Sequence, residues 1–177
     1  MRSLFWIPLI YCLLMRVFEL VVSRRNERTA TLEGGRRVRP DATAGLVIVH
    51  TLWFAGLILE ELLLGPRAWP SWVLPVAGSI AVAAEALRLA CMLTLGKFWN
   101  VAVVIRPDAQ LVRRGPYRYL EHPNYLAVVV LLVSMPLALG LPMVALFVLP
   151  MKLWALRARL RIEDAALGQV SGSAANS

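Results

Sequence analysis

Long stretches without a charged residue alternate with short basic segments along this chain, and the alternation predicts where the chain crosses a membrane. The uncharged stretches run from Ser3 to Met15, Ala42 to Leu59, Ala68 to Ala84 and Pro123 to Met151. A transmembrane helix needs about 20 mostly apolar residues, so we extend the first and third stretches past their next charged residues. We predict an all-α integral membrane protein with about five transmembrane helices, near residues 3–23, 44–64, 72–95, 123–138 and 142–157.

The fourth uncharged stretch is too long for one crossing. A single helix of its 29 residues would be roughly 43 Å long, whereas the hydrocarbon core of a bilayer is about 30 Å thick. Pro136, Gly140 and Pro142 lie at its middle, and Gly and Pro together mark a turn. The sequence therefore predicts a helical hairpin, made of the fourth and fifth spans.

The positions of the basic residues predict the orientation. Arginine and lysine concentrate in residues 24–43, in residues 96–122 and after residue 157, while Arg2 and Arg67 remain for the other side. Cytoplasmic loops carry the excess of basic residues in membrane proteins. We therefore expect these three segments in the cytoplasm and the N-terminus outside, in a bacterial cell membrane. We expect one domain over residues 1–167, with its site region at 96–167, and a flexible tail at 168–177.

Composition narrows the function classes. Hydrophobic residues make up 59% of the 177 residues and charged residues 17%, which excludes a disordered chain and disfavours a soluble globule. The net charge is +8, and most of the basic residues lie between the apolar runs. This distribution favours juxtamembrane charge over nucleic-acid binding. Cys12 and Cys91 lie inside apolar runs, and His50 and His122 are too few for a His-rich metal site. We expect neither nucleic acid nor metal as a partner.

The loop at 96–122 has a pattern of its own. Val101 to Ile105 is a β-prone run, Pro107-Asp108 is a turn signal, and Leu111-Val112 resumes the apolar character. This pattern predicts a small cytoplasmic loop that contains a short β-hairpin. His122 follows at the expected start of a helix, with Pro123 at its first turn and Tyr125 nearby. His122 and Tyr125 are either interfacial anchors or part of a polar site, and spacing alone leaves both interpretations open.

Charged residues near and within the expected spans form further patterns. Arg159 and Glu163 are four residues apart and share one helix face, which suits either a solvated helix end or a polar site. Because an ionised group inside a membrane is costly, we expect Arg16 to pair with Glu19 and Glu85 with Arg88. We expect solvation for the pair of acidic residues at the outer end of the second span, Glu60 and Glu61.

Two segments together resemble a known family. GKFWN…LVRRGPYRYLEHPNYL, followed by RLRIEDAAL, is similar to segments of the isoprenylcysteine carboxyl methyltransferase family, over roughly residues 95–167. The resemblance implies S-adenosylmethionine as the cofactor and methyl transfer to an oxygen of a lipophilic or prenylated acceptor. It implies that Arg159 faces the acceptor. The cofactor-binding residues that it implies are Ala109, Gln110, Leu111, Val112, Tyr117, His122, Pro123, Asn124, Tyr125 and Glu163.

The chain departs from the family pattern at two positions. Glu121 stands where an Arg usually precedes His-Pro, which removes a cation beside the expected site, and Asp164 stands where a second Glu is usual. Both a carboxylate and a phenol or enol remain open as the acceptor group, and a resemblance to prokaryotic enzymes placed beside polyketide synthases favours a phenolic or pyrone lipid.

Two other functions remain open from the sequence. Membrane sterol-type reductases, which use NADPH to reduce a carbon–carbon double bond, also resemble the Tyr…His-Pro-Asn-Tyr segment. The small size and the short loop disfavour them, because a dinucleotide needs more surface. A non-catalytic membrane scaffold is the third interpretation, and the cofactor that binds distinguishes all three.

Overall fold

Five long helices dominate the described part of the chain, which is residues 2–39, 42–106 and 112–174 of a computed structural model. Short 3-10 turns at Gly96–Phe98 and Gly115–Arg118 flank the loop that precedes the fourth helix. The structure confirms the predicted all-α fold. The helices are α1 (Arg2–Leu32), α2 (Thr43–Leu63), α3 (Val73–Leu95), α4 (Pro123–Ala138) and α5 (Pro142–Ala174).

Three segments are long and apolar enough to cross a membrane. Among the described residues they are Phe5–Leu32, Thr43–Leu63 and Val73–Phe98, and the apolar helix α4 is shorter. Large apolar side chains on these helices are exposed, including Ile7, Val82 and Leu93. Such exposure is costly in water and expected in lipid, so this is a membrane protein.

The long uncharged run breaks where the sequence predicts. Helix α4 ends at Ala138, and α5 begins at Pro142. Gly140 adopts a φ of +76°, and a Cβ at this position would lie 3.1 Å from the Arg67 carbonyl oxygen. The turn therefore needs glycine for both its backbone conformation and its space. The predicted helical hairpin is confirmed.

Helix α1 is longer than the predicted span 3–23. It continues to Leu32 because residues 24–32 are charged and polar but contain neither Gly nor Pro. Its end is fixed by Gly34, with a φ of +83°, and by Gly35, whose N–H donates to the Ala30 carbonyl at 2.7 Å. The charged residues therefore mark the end of the predicted membrane span, but the helix itself continues past them.

The predicted β-hairpin within loop 96–122 is wrong in its pairing. The strand β2 (Val104–Ile105) forms, but it pairs antiparallel with β1 (Arg36–Arg37), with Arg36 opposite Ile105. The Val38 N–H adds a bond to the Val103 carbonyl at 2.9 Å. Val112 lies outside any strand, and residues 107–111, which include the predicted turn at Pro107-Asp108 and also Leu111, lie outside the described residues. The paired residues are 67 and 69 positions apart, so the pairing depends on tertiary structure, which periodicity cannot reveal.

The chain divides into two compact units. The first unit is built from the described residues of Met1–Leu46, Lys97–Leu111 and Ala155–Ser177, and the second from those of Val47–Gly96 and Val112–Trp154. In the first unit, the predicted Arg16–Glu19 pair is present at 2.9 Å.

In the second unit, α3 packs against α4. The Trp53 indole N–H donates to the Leu132 carbonyl at 3.0 Å and ties α2 to α4. The predicted Glu85–Arg88 pair is also present, at 3.3 Å.

The expectation that Glu60 and Glu61 are solvated is wrong. Their residues are only 6% and 7% exposed. The two carboxylate oxygens of Glu60 accept from the Met143 N–H at 3.1 Å and the Val144 N–H at 2.9 Å. The first N–H groups of a helix lack partners within the helix, so a carboxylate from another helix caps them well. Glu60 therefore fixes the start of α5.

Candidate active site

The loop before α4 is positioned by a close contact with the end of α3. Gly115 has a φ of +55°, and a Cβ there would lie 2.6 Å from Thr94 Oγ1. The Arg114 guanidinium donates to the Thr94 carbonyl at 3.3 Å. The 3-10 turn that follows carries Tyr117, which makes a side-chain hydrogen bond with Cys91 of α3. These contacts fix the approach of the chain to His122.

His122 and Tyr125 are brought together at the start of α4. The His122 carbonyl accepts from the N–H groups of Tyr125 and Leu126 and begins the helix, with Pro123 at its first position. The imidazole then stacks on the Tyr125 ring, with centroids 5.4 Å apart and planes 25° from parallel. Both side chains are half-buried. The two rings lie face over face beside a helix N-terminus.

The first turn of α4 also carries Asn124, whose side chain has a polar atom without a partner among the described residues. Its Oδ1 is buried and accepts no hydrogen bond from the described residues. Because a buried acceptor without a partner is costly, such atoms are rare in folded proteins and mark sites where a ligand binds or strain is stored. Pro123, at the first position of the helix, is fully buried.

Arg159 and Glu163 form the second cluster, in the first unit. The Arg159 Nε donates to Glu163 Oε1 at 2.8 Å, and its Nη1 donates to Thr43 Oγ1 at 3.2 Å. Arg159 is only 2% exposed, so the interpretation of this segment as a solvated helix end is wrong at Arg159. Arg157 and Arg161, on neighbouring positions, are exposed.

The predicted site residues fall into both units. Arg159 and Glu163 belong to the first, and the second contains Val112, Tyr117 and His122 to Tyr125. Within the units the structure brings together Arg159 with Glu163 and His122 with Tyr125. Ala109, Gln110 and Leu111 lie outside the described residues, as does the side chain of Asp164.

Two partners of these residues were not predicted. Thr43, which is 116 residues earlier in the chain, accepts a hydrogen bond from Arg159. The side chain of Cys91, on α3, forms a hydrogen bond with Tyr117. No local spacing signals either contact. An isolated Thr at the start of a predicted span and a Cys inside an apolar run resemble ordinary helix residues.

These features define a helical membrane protein with one polar cluster at the start of α4 and a second within α5. The model of the isoprenylcysteine carboxyl methyltransferase (ICMT) family matches residues 76–169, which is more than half of the chain. The chain belongs to this family. Family membership implies a methyltransferase that acts on a membrane substrate, and family enzymes use S-adenosylmethionine.

Two bacterial proteins are similar over nearly their whole length. The uncharacterized protein YpbQ of Bacillus subtilis is 28% identical over 168 residues, which covers 95% of this chain and 99% of that protein. An uncharacterized protein of Haemophilus influenzae is 26% identical over 161 residues, covering 90% of this chain and 92% of that protein. No solved structure matches the chain.

Proposed function

We propose that this protein transfers the methyl group of S-adenosylmethionine to an oxygen of a lipophilic acceptor at the cytoplasmic face of the membrane. The acceptor oxygen belongs to a carboxylate or to a phenol or enol. The observation that carries the proposal is the start of α4, within the residues that the family model matches, where His122 and Tyr125 stack and the buried Asn124 Oδ1 has no partner among the described residues.

The side chains at the start of α4 fit the cofactor. S-adenosylmethionine carries a flat adenine, hydroxyl groups and amino groups, so it offers both a stacking surface and hydrogen-bond donors. The stacked imidazole and phenol suit the flat adenine, and the buried amide oxygen suits a hydrogen-bond donor of the cofactor. We assign cofactor binding to the residues that the resemblance implies. They are Ala109, Gln110, Leu111, Val112, Tyr117, His122, Pro123, Asn124, Tyr125 and Glu163.

Methyl transfer requires little of the protein beyond the alignment of the acceptor with the cofactor. When bound, the cofactor supplies a methyl group that its sulfonium centre already activates, so the protein has to orient the acceptor and exclude water. Arg159 is suited to the acceptor oxygen because a guanidinium stabilises negative charge there. Its two observed partners, Glu163 and Thr43, hold the guanidinium in one orientation.

The proposed orientation follows from charge. The exposed arginines at residues 24–39, the basic residues at 97–118 and Arg157 and Arg161 lie outside the apolar helical segments or at their ends. Positive residues favour the cytoplasmic side, so we place these segments there, the N-terminus outside and the C-terminus in the cytoplasm. Both similar proteins are bacterial, which supports a bacterial cell membrane.

Calorimetric titration of the detergent-purified chain with S-adenosylhomocysteine tests the cofactor. His122→Ala and Glu163→Ala should each weaken binding by roughly 10- to 150-fold, the effect of losing a hydrogen bond to a charged group. Tyr119→Ala is the control for His122→Ala, because Tyr119 is a nearby aromatic residue that is 79% exposed. Glu27→Ala is the control for Glu163→Ala, because Glu27 also pairs with an arginine, Arg37. Unchanged affinity in both site variants, or binding of NADPH in place of S-adenosylhomocysteine, would refute the proposal.

A further inference from the structure

Helix α1 has two different faces where it leaves the predicted membrane span. One face is packed against the rest of the first unit, because Glu19, Ser23 and Ala30 are only 2%, 4% and 0% exposed. Ser23 Oγ on this face accepts from the Val101 N–H at 2.8 Å. The spacing of these residues keeps them on one side of the helix, so their burial fixes which side of α1 faces outward.

The outward face of α1 changes from apolar to basic at one level. Leu14 and Val21 are 63% and 57% exposed, and Arg25 and Arg28 continue the same exposed face. Spacings of seven, four and three residues keep these four side chains on one stripe of the helix. Arg24 lies beside the stripe and is also exposed. An apolar stripe that suits lipid therefore runs directly into arginines.

The described residues leave the charge of these arginines unbalanced. Arg24, Arg25 and Arg28 form no ion pair within the described part of the chain. The acidic residue closest to them in the sequence, Glu27, pairs with Arg37 at 3.3 Å. Residues one or two positions apart do not face each other on a helix, so Glu27 does not face Arg25 or Arg28.

The level of the arginines matches the headgroup layer of a bilayer. At about 1.5 Å per residue, Arg25 lies roughly 6 Å beyond Val21 along the helix, and Arg28 lies roughly 10 Å beyond it. The headgroup layer on each side of the hydrocarbon core is about 5–8 Å thick. Because arginine side chains are long, both guanidinium groups can reach phosphate oxygens in that layer and bind them with paired hydrogen bonds.

We propose that the outward face of α1 binds an anionic phospholipid of the surrounding membrane, with Arg25 and Arg28 on the headgroup phosphate and the acyl chains along Leu14 and Val21. The apolar stripe favours a lipid over a soluble acidic partner, because a soluble partner would use only the basic part of the face. A zwitterionic headgroup carries its own cation, so an unbalanced basic stripe favours an anionic one. The proposed methyl transfer is not needed for this binding.

Native mass spectrometry of the detergent-purified chain tests the site. Phosphatidylglycerol and phosphatidylcholine with the same acyl chains are titrated separately, and the affinity for the first bound lipid is compared. Phosphatidylglycerol should bind more tightly, and Arg25→Gln and Arg28→Gln should each weaken its binding by roughly 5-fold, the effect of one juxtamembrane cation. Arg36→Gln is the matched control, because Arg36 is also exposed but lies in β1, past the end of α1. It should leave the affinity unchanged.

Each outcome decides for or against the site. Equal affinities for the two lipids would overturn it, and so would equal losses for Arg36→Gln and Arg25→Gln, because net charge alone would then explain the binding. Glycerol 3-phosphate has the phosphate without acyl chains and should not displace phosphatidylglycerol at equal concentration. Displacement would mean that the arginines bind a free anion, and it would overturn the lipid as the ligand. The lipid comparison and the competition use the unaltered chain, so they decide the question even where a variant fails to fold.

Discussion

Gly115 is the residue whose replacement tests most directly how the loop before α4 is positioned. Its φ of +55° is unfavourable for any residue with a Cβ, and the added Cβ of Gly115→Ala would lie 2.6 Å from Thr94 Oγ1. Thr94 cannot move aside easily, because it is β-branched and its hydroxyl donates to the Ala90 carbonyl at 2.6 Å. Gly115→Ala therefore combines backbone strain with a steric clash.

The two costs can be estimated separately. Left-handed backbone costs an L-residue about 1–2 kcal/mol, and overpacking typically costs about 1–3 kcal/mol. Gly115→Ala should then destabilise the protein by about 2–5 kcal/mol. Gly65 is the matched control, because its φ is +67° and a Cβ there would meet nothing within 4 Å. Gly65→Ala should cost only the backbone component of about 1–2 kcal/mol.

Reversible unfolding in mixed micelles, followed by circular dichroism, measures these differences. Thr94→Ala removes Oγ1 and leaves a Cβ at 3.5 Å, which is ordinary contact. In the double variant the clash is gone, so the coupling between Gly115→Ala and Thr94→Ala should recover about 1–3 kcal/mol. Equal losses for Gly115→Ala and Gly65→Ala, with no coupling to Thr94, would refute the proposed contact.

Three further changes have defined outcomes. Glu60→Gln should lower stability in the same unfolding assay by about 1.5–3 kcal/mol, because it weakens a charged cap on α5, whereas Glu61→Gln should cost less. Arg159→Ala should reduce methyl transfer by roughly 100- to 1,000-fold while S-adenosylhomocysteine affinity is retained, with exposed Arg157→Ala as the control; equal activity of the two variants would contradict the acceptor role. A cysteine introduced at Gly172 should react with impermeant reagent only from the cytoplasmic side, and labelling only from outside would contradict the topology.

Local patterns in the sequence were sufficient to predict the helices and the turn between α4 and α5. Apolar runs of membrane length predict α1 to α3, and Pro136, Gly140 and Pro142 predict the break between α4 and α5. These features are local because a helix satisfies its backbone hydrogen bonds within one segment. The same logic placed Arg159 and Glu163 on one helix face, where they form a bond at 2.8 Å.

Contacts between distant segments could not be predicted from the same patterns. The partner of strand β2 lies in the loop after α1, and Glu60 caps a helix that begins 82 residues later. Thr43 reaches Arg159 in the same way. Each contact depends on which helices pack together, and amino-acid spacing contains no information about that choice. Burial of Asn124 Oδ1 and of the Trp99 indole is equally a property of the folded chain.

Burial distinguishes Arg159 from the neighbouring arginines of α5, Arg157 and Arg161. Removing a guanidinium from water costs several kcal/mol, and an ion pair in the interior repays this only in part. A buried pair is therefore weak evidence for a role in stability, and an apolar side chain of similar volume would serve packing as well. Arg159 is 2% exposed and is oriented by two partners, whereas Arg157 and Arg161 remain exposed as juxtamembrane charge. The cost of burying Arg159 is easiest to explain if its charge acts on a bound molecule, and that favours the acceptor role that we propose.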